Sequence, residues 1–368
     1  MGRLVAVDLP TCDAFVAAVQ RIWDDGDVVL PLDQRLPQAA RHEVARRFGT
    51  SVVVDETGRT TIDGGREYAH DDVLVIATSG STGVPKGVIH SRATLTASSR
   101  LVTDRLSLGA DDHWLACLPV AHIGGFGVVA RALATGARLT CIPRPDSDTI
   151  AAAAADGATH TALVPAILSR IDPQRWSTIL VGGAAVARNR PSNVVATYGL
   201  TETCGGVVYD ARPLNDVDVR IVDDEIHLRT PTLCRGYVDG EPTVSDGWLH
   251  TGDVGTFVDG ALHVNGRRDD LIISGGSKVW PQPVEEVLRR HPLVADVVVR
   301  GVPDEEWGSI VCAWIVPMGT ASPPTLASLR DAVRAELSDV AAPRRMVLLD
   351  AIPRSALGKP IVSELPTA

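Results

Sequence analysis

Apolar residues along this chain follow two rhythms, and the change between them falls near Cys204. From about residue 73 up to that point, short solid apolar runs alternate with segments of helical spacing. The runs "VLVIAT", "WLACLPV", "ARLTCIP", "HTALVP", "TILVGG" and "VVATYG" have the length and composition of buried parallel strands. Helix-compatible segments at 91–105, 125–134, 147–156 and 165–171 separate several of them. That alternation predicts a mostly parallel sheet covered by helices on its faces. Upstream, residues 1–70 read as mixed helix and strand, with "SVVVDETGRT" a short strand followed by a turn.

After Cys204 apolar and polar positions alternate one by one. "VDVRIVDDEIHLRTPTL" and "GALHVNG" have the pattern of half-exposed antiparallel strands, so a small β subdomain is expected there. The polar "GRRDDL" is a candidate linker. Beyond it, "PQPVEEVLRR" predicts a helix with proline in its first turn and Val284, Val287 and Leu288 on one face. "ADVVVRGV" and "SIVCAWIVP" read as strands, and "TLASLRDAVRAEL" as an amphipathic helix. The expected organisation is a large N-terminal α/β domain with a β subdomain over 1–267, and a small C-terminal α+β domain over 268–368.

Composition removes several function classes. The 368 residues are 45% hydrophobic and 22% charged, as in ordinary soluble domains. A net charge of −10 argues against a broad nucleic-acid surface. No run of about 18 apolar residues exists, so no membrane span is expected. The six cysteines are far apart and form no CxxC pair, which argues against a zinc site or a disulfide framework and fits a reducing cytoplasm.

"ATSGSTGVPKGVIH", residues 77–90, carries the first chemistry. Its glycines let the backbone approach an anion and leave N–H groups free to point at it. The hydroxyls of Thr78, Ser79, Ser81 and Thr82 add donors, and Lys86 adds charge. A strand before the loop and a helix after it would make a phosphate cradle. The P-loop pattern is absent, because Gly87 follows Lys86, and no GxGxxG occurs. Composition alone leaves an ordinary flexible surface loop open.

Four more segments follow: "YGLTET" (198–203), "TGD" (251–253), "GRRDDLIISGGSKVWPQPVEE" (266–286) and "PRSALGK" (353–359). Together with TSGSTGVPKG, in this order, they resemble the signatures of the adenylate-forming superfamily of acyl-CoA synthetases, luciferases and peptide-synthetase adenylation domains. The resemblance implies that fold, with a mobile C-terminal domain, and an acid-activating reaction using ATP, Mg²⁺ and, in the ligases, CoA. It places Thr78, Ser79, Gly80, Ser81, Thr82, Gly83 and Lys86 on the phosphates. Gly182, Gly183, Tyr198, Gly199 and Thr201 would lie around the nucleotide, and Asp253 and Arg267 on its ribose. Glu202 would hold Mg²⁺, as a hard oxygen ligand does well. Lys359 would neutralise charge as the carboxylate attacks the α-phosphate. Asp269 matches the hinge, and Gly275 and Gly276 would border the entry of CoA. Each has a plainer alternative: Asp253 as a turn residue, the Gly275–Gly276 pair as a hairpin turn, Lys359 as a solvated lysine.

Two features bear on the acid. About 77 residues precede the phosphate loop, fewer than in most members, and short versions resemble actinobacterial o-succinylbenzoate–CoA ligases of menaquinone synthesis. "LPVAHIGGFGVVARALATGA" places Arg131 in an apolar segment, about two and a half helical turns after His122. A buried arginine there needs an anionic partner. In those ligases a matching arginine faces the second carboxylate of the substrate, and the matching histidine shapes the acyl pocket, together with Gly199. Arg131 could instead snorkel to the surface or pair with an internal acid. The aromatic that usually precedes the histidine is here Ala121, a departure that would widen the pocket or change the ligand. His113 and His160 read as structural. The expected partners are a small carboxylic acid, ATP and CoA, with no nucleic acid or membrane and with a homodimer left open. A ligase for another aryl or short acyl acid, a domain feeding a carrier protein, and a non-catalytic nucleotide binder remain as alternatives.

Overall fold

The computed structural model describes residues 1–79, 85–183, 190–240, 244–319, 323–353 and 360–367. The chain forms two compact units. One is Met1–Arg220 with His227–His250 and Asp259–Leu262; the other is Ile221–Ile226 with Thr251–Val258 and His263–Ala368.

The first unit carries two sheets. In the first, Gly2–Val7 runs parallel to Val28–Pro31 and to Val52–Asp55, and Val28–Pro31 runs parallel to Asp72–Ser79. Asp72–Ser79 then pairs antiparallel with Pro85–Ser91, which pairs antiparallel with Gly236–Tyr237 at the edge. The second sheet has a parallel core of Val194–Leu200, Thr178–Val181, His160–Leu163, His113–Ala116 and Arg138–Cys141, in that spatial order. Gly205–Tyr209 closes one side as an antiparallel partner of Val194–Leu200. The three central strands, Thr178–Val181, His160–Leu163 and His113–Ala116, are almost wholly buried, which explains the dense apolar runs around them.

Local chemistry sets the helix ends. Arg92–Leu106 starts at Ser91, whose hydroxyl accepts from the Thr94 N–H, and Ser147–Ala155 starts in a capping box between Asp146 and Thr149. Ile123–Thr135 begins after His122 and stops at Gly136 in the left-handed region, φ 70°. Residues 125–132 of this helix are all buried, as an all-round apolar helix requires, and Arg131 is among them.

Two expectations need correction. The phosphate loop is followed by a strand, Pro85–Ser91, and the helix starts only at Arg92. Val88 and Ile89 are buried there, and a Cβ at Gly87 would sit 2.7 Å from Val238 Cγ2, so the segment is held between two neighbouring chain stretches. "VLVIAT" is therefore parallel on one side only. The helix expected over 165–171 is a single turn, Pro165–Leu168.

In the second unit Val294–Asp304 and Gly308–Pro317 form a long antiparallel pair, with Ile272–Ser274 and Ser277–Val279 beyond it and Arg345–Leu348 added in parallel. Helices Pro281–Arg289 and Leu326–Glu336 cover this sheet, and Val284, Val287, Leu288, Leu329 and Val333 enter its core. The candidate linker is a 3₁₀ turn, Arg268–Asp270, after the strand Ala261–Arg267.

Candidate active site

Thr78 and Lys86 face each other across the antiparallel pair that leads into and out of the phosphate loop. The Thr78 hydroxyl donates to the Lys86 carbonyl at 3.3 Å. Gly80, Ser81, Thr82 and Gly83 lie outside the described residues, as does the side chain of Ser79. The Lys86 ammonium sits 5.1 Å from the centre of the Tyr237 ring. The Tyr237 hydroxyl donates to Glu202 Oε1 at 2.7 Å. Tyr237 thus joins the two charges that the sequence placed on phosphate and metal. It was not foreseen, since its two-residue strand carries no motif. The half-buried Glu202 carboxylate has one oxygen held by a neutral donor, a donor set that fits a hard divalent cation.

Glu202 sits in a tight turn between Val194–Leu200 and Gly205–Tyr209. Thr203 accepts from the Leu200 N–H at 2.8 Å and donates to the Gly205 carbonyl at 2.7 Å. Cys204 takes φ 55°, and its carbonyl accepts from Ser98 at 2.8 Å. A Cβ at Gly199 would lie 2.0 Å from the Gly205 carbonyl oxygen, so only glycine closes this turn. Tyr198 precedes it, half-buried, and a β-bulge separates the two. On the next strand, a Cβ at Gly182 would meet Thr197 Oγ1 at 2.7 Å, while Gly183 holds φ 80°. Gly182, Tyr198, Gly199, Thr201, Glu202 and Lys86 are therefore brought together in the first unit.

His90 ties the lysine strand to this turn. It is fully buried, and its Nε2 donates to the Thr201 carbonyl at 2.9 Å, leaving Nδ1 without a partner among the described residues. Burial pulls its pKa down to about 4, against a smaller opposing effect of that hydrogen bond. The unfolded chain, with an ordinary value of about 6.5, takes up the proton first. Stability from this group is therefore complete above about pH 6.5 and falls on acidification until about pH 4, by at most about 1.4 kcal/mol per pH unit. Urea midpoints measured from pH 7.5 to 4.5 should fall less steeply for His90→Gln than for the parent chain.

The residues expected at the acyl pocket lie on and just before Ile123–Thr135. The first residue of this helix approaches the Glu202 turn: a Cβ at Gly205 would lie 3.9 Å from Ile123 Cγ1. His122 precedes the helix, its Nε2 2.5 Å from Arg35 Nη2 and 3.2 Å from Asp33 Oδ2. Arg131 is only 7% exposed and forms no ion pair with any described residue; its guanidinium donates no hydrogen bond among them. The guanidinium lies over the Trp114 ring, 5.0 Å from its centre, and Gly127 makes room for it. Burial lowers its proton affinity, with Tyr209 and Cys204 pulling the other way. Arg131 does not reach the surface, and no acid among the described residues neutralises it. His113 and His160 are structural, paired with Thr140 and with Thr159 and Asp112.

The second unit holds the remaining candidates. Arg267 Nε pairs with Asp253 Oδ1 at 3.0 Å, and its Nη1 donates to the Thr251 carbonyl at 2.8 Å. Thr251 also accepts from the Asp253 N–H and donates to the Ile226 carbonyl, so the "TGD" turn is internally braced. The acid and base expected on one ribose thus stand side by side. Asp269 is exposed in the 3₁₀ turn. Gly275 and Gly276 form a two-residue hairpin turn with φ 55° and 79°, the geometry that favours glycine. A Cβ at Gly275 would lie 2.6 Å from the Trp307 ring. Lys359 lies outside the described residues.

The chain belongs to the AMP-binding enzyme family, matching it over residues 63–238 and its C-terminal domain over 283–359. Among curated relatives, a probable 2-succinylbenzoate–CoA ligase of Mycobacterium tuberculosis is 37% identical over 322 residues, covering 80% of this chain and 84% of the relative. A 2-succinylbenzoate–CoA ligase of Bacillus cereus is 32% identical over 343 residues, covering 81% and 71%. Among solved structures, the Bacillus subtilis o-succinylbenzoate CoA synthetase (MenE) with its acyl-adenylate intermediate superposes with a TM-score of 0.88 at 25% identity, over 100% of this chain and 88% of that one. The same enzyme with ATP and magnesium gives 0.86 over 99% and 89% at 25% identity.

Proposed function

We propose that this chain is an ATP- and Mg²⁺-dependent ligase that joins o-succinylbenzoate to CoA through an acyl-adenylate, as menaquinone synthesis requires. The observation that carries the substrate is Arg131, a buried guanidinium with no acidic partner among the described residues. A dianionic acid supplies what it lacks: one carboxylate pairs with Arg131 while the other reacts. The relatives' names support the same acid.

In the first half-reaction a carboxylate oxygen attacks the α-phosphorus of ATP, the bond to the bridging oxygen breaks, and pyrophosphate leaves with the electron pair. In the second the CoA sulfur attacks the acyl carbon, AMP leaves, and the thiol proton passes to solvent or a base. Thr78 and Lys86, with the loop of residues 79–83, hold the phosphates. Glu202 would hold Mg²⁺, which neutralises phosphate charge when bound. Tyr198, Gly182, Gly183, Gly199 and Thr201 surround the nucleotide, and Asp253 accepts from ribose hydroxyls with Arg267 beside it. His122, Arg131 and Gly199 line the acyl pocket. Asp269 is the hinge between an adenylation domain, 1–267, and a mobile domain, 268–368, with Gly275 and Gly276 beside the incoming thiol. The reading includes a cytoplasmic location.

The test is pyrophosphate release with Mg-ATP and CoA over a panel of acids, with the thioester followed by mass. Preference for o-succinylbenzoate supports the reading; preference for benzoates or fatty acids removes the substrate and keeps the ligase. Lys359→Ala should slow acyl-adenylate formation by about 10²–10³-fold with ATP binding retained, because it removes charge stabilisation at the reacting phosphate. Normal pyrophosphate release by that variant contradicts its role.

A further inference from the structure

The described acyl side holds a device that no motif announces. Asp33 and Arg35 belong to the segment after Val28–Pro31, on the first sheet of the first unit. Arg35 grips Asp33 with a fork, Nε to Oδ1 at 2.8 Å and Nη2 to Oδ2 at 2.7 Å, and its own N–H donates to Oδ1 at 3.1 Å. The segment is fastened on both sides. Leu32 N–H donates to the Val7 carbonyl, Gln34 donates to Asp8, and Arg41 pairs with Asp8 at 2.7 Å. From this anchored loop Arg35 Nη2 reaches His122 Nε2 at 2.5 Å, across 87 positions of sequence. All three side chains are largely covered: Asp33 is 13% exposed, His122 24% and Arg35 28%. Burial pushes the Asp33 carboxyl up, but the hydrogen bonds from Arg35 outweigh this and hold it well below the usual carboxylate range.

Nε2 has two polar neighbours, Arg35 Nη2, which only donates, at 2.5 Å, and Asp33 Oδ2, which only accepts, at 3.2 Å; the nearer contact favours His122 accepting at Nε2 and carrying its proton at Nδ1. A histidine at the start of a helix, held by a rigid fork, has one ring orientation. We infer that Asp33 and Arg35 are positioning residues that lock His122 as an Nε2 acceptor and so fix the wall of the acyl pocket. This rests on His122 lining that pocket. The lysine side chain, a point donor on a flexible stem, cannot reproduce a fork that holds an acid and a ring at once.

Two measurements test this. Nitrogen-15 spectra of the full chain should show His122 with a pyridine-type Nε2 and a protonated Nδ1, and Arg35→Gln should shift the Nε2 signal. A protonated Nε2 in the parent chain, or an Arg35→Gln spectrum without change, overturns the proposal. These spectra need no turnover, so they stand or fall apart from the ligase reading. In kinetics, Arg35→Gln should raise KM for o-succinylbenzoate about tenfold and leave KM for ATP within about twofold, the size of one lost charge-assisted hydrogen bond. Arg35→Lys should recover only part of this. Equal changes in both KM values would mean general damage and overturn the proposal. Should Arg35→Gln fail to fold, Asp33→Asn serves, because it weakens the fork and should produce the same split; an unchanged acid KM there overturns the proposal too.

Discussion

Arg131→Ala is expected to raise KM for o-succinylbenzoate by about 10²–10³-fold while KM for ATP stays within about twofold. Breaking a buried charge pair costs about 3–5 kcal/mol, because the partner charge is left without compensation. Here that stranded charge is the substrate carboxylate, so the loss falls on the acid. A second consequence has the opposite sign. In the free protein Arg131 is itself the stranded charge, 7% exposed over Trp114 with no acid beside it among the described residues. Arg131→Met keeps much of the side-chain volume and removes the desolvated cation. Thermal melting without ligands should therefore rise, by a few degrees, as activity on the diacid falls. Saturating o-succinylbenzoate should then stabilise the parent chain far more than the variant. A melting midpoint that drops in Arg131→Met, with an unchanged acid KM, would assign the arginine to packing alone.

Glu202→Gln is expected to lower the rate of adenylate formation by about 10²–10³-fold at limiting Mg²⁺, with partial recovery as Mg²⁺ is raised. The substitution separates charge from shape. Tyr237 donates to Glu202 Oε1 at 2.7 Å, and a glutamine oxygen accepts the same bond. The turn should also persist, since Thr203 and the Gly199–Gly205 contact hold it without the carboxylate. Only the negative charge and one hard ligand are lost. Initial pyrophosphate rates across a Mg²⁺ series check this. A Gln variant with the parent's Mg²⁺ dependence would place the metal ligand elsewhere. Tyr237→Phe is the companion measurement. It keeps the ring under Lys86 and frees the carboxylate, so its effect should be several-fold smaller.

Much of this was legible in the chain itself. Periodicity located the parallel core of the second sheet, because strands buried on both faces need unbroken apolar runs. It also found the helix face of Val284, Val287 and Leu288, all buried. The helix carrying Arg131 was readable within a few residues, and the resemblance put Asp253 and Arg267 on one ligand group, but their direct ion pair appears only in the structure. The segment "PKGVIHS" was misjudged. Its residues are equally at home in a helix start or a strand, and the pairing with Asp72–Ser79 and Gly236–Tyr237 settles the matter.

The amino-acid sequence by itself determined the candidates: a loop rich in glycine and hydroxyls with one lysine, a cation in an apolar segment, and, through the resemblance of ordered motifs, a carboxylate for the metal and an Asp–Arg pair for the nucleotide. Residue type, near spacing and motif order survive in one dimension. Only the tertiary structure decided which charges are answered. Asp72 finds Arg235, and Lys86 and Glu202 meet through Tyr237. His122 is reached by Arg35 from 87 positions away, while Arg131 ends without a partner among the described residues. The physical reason is that the cost of a buried charge depends on what surrounds it, and folding assembles those surroundings from distant parts of the chain.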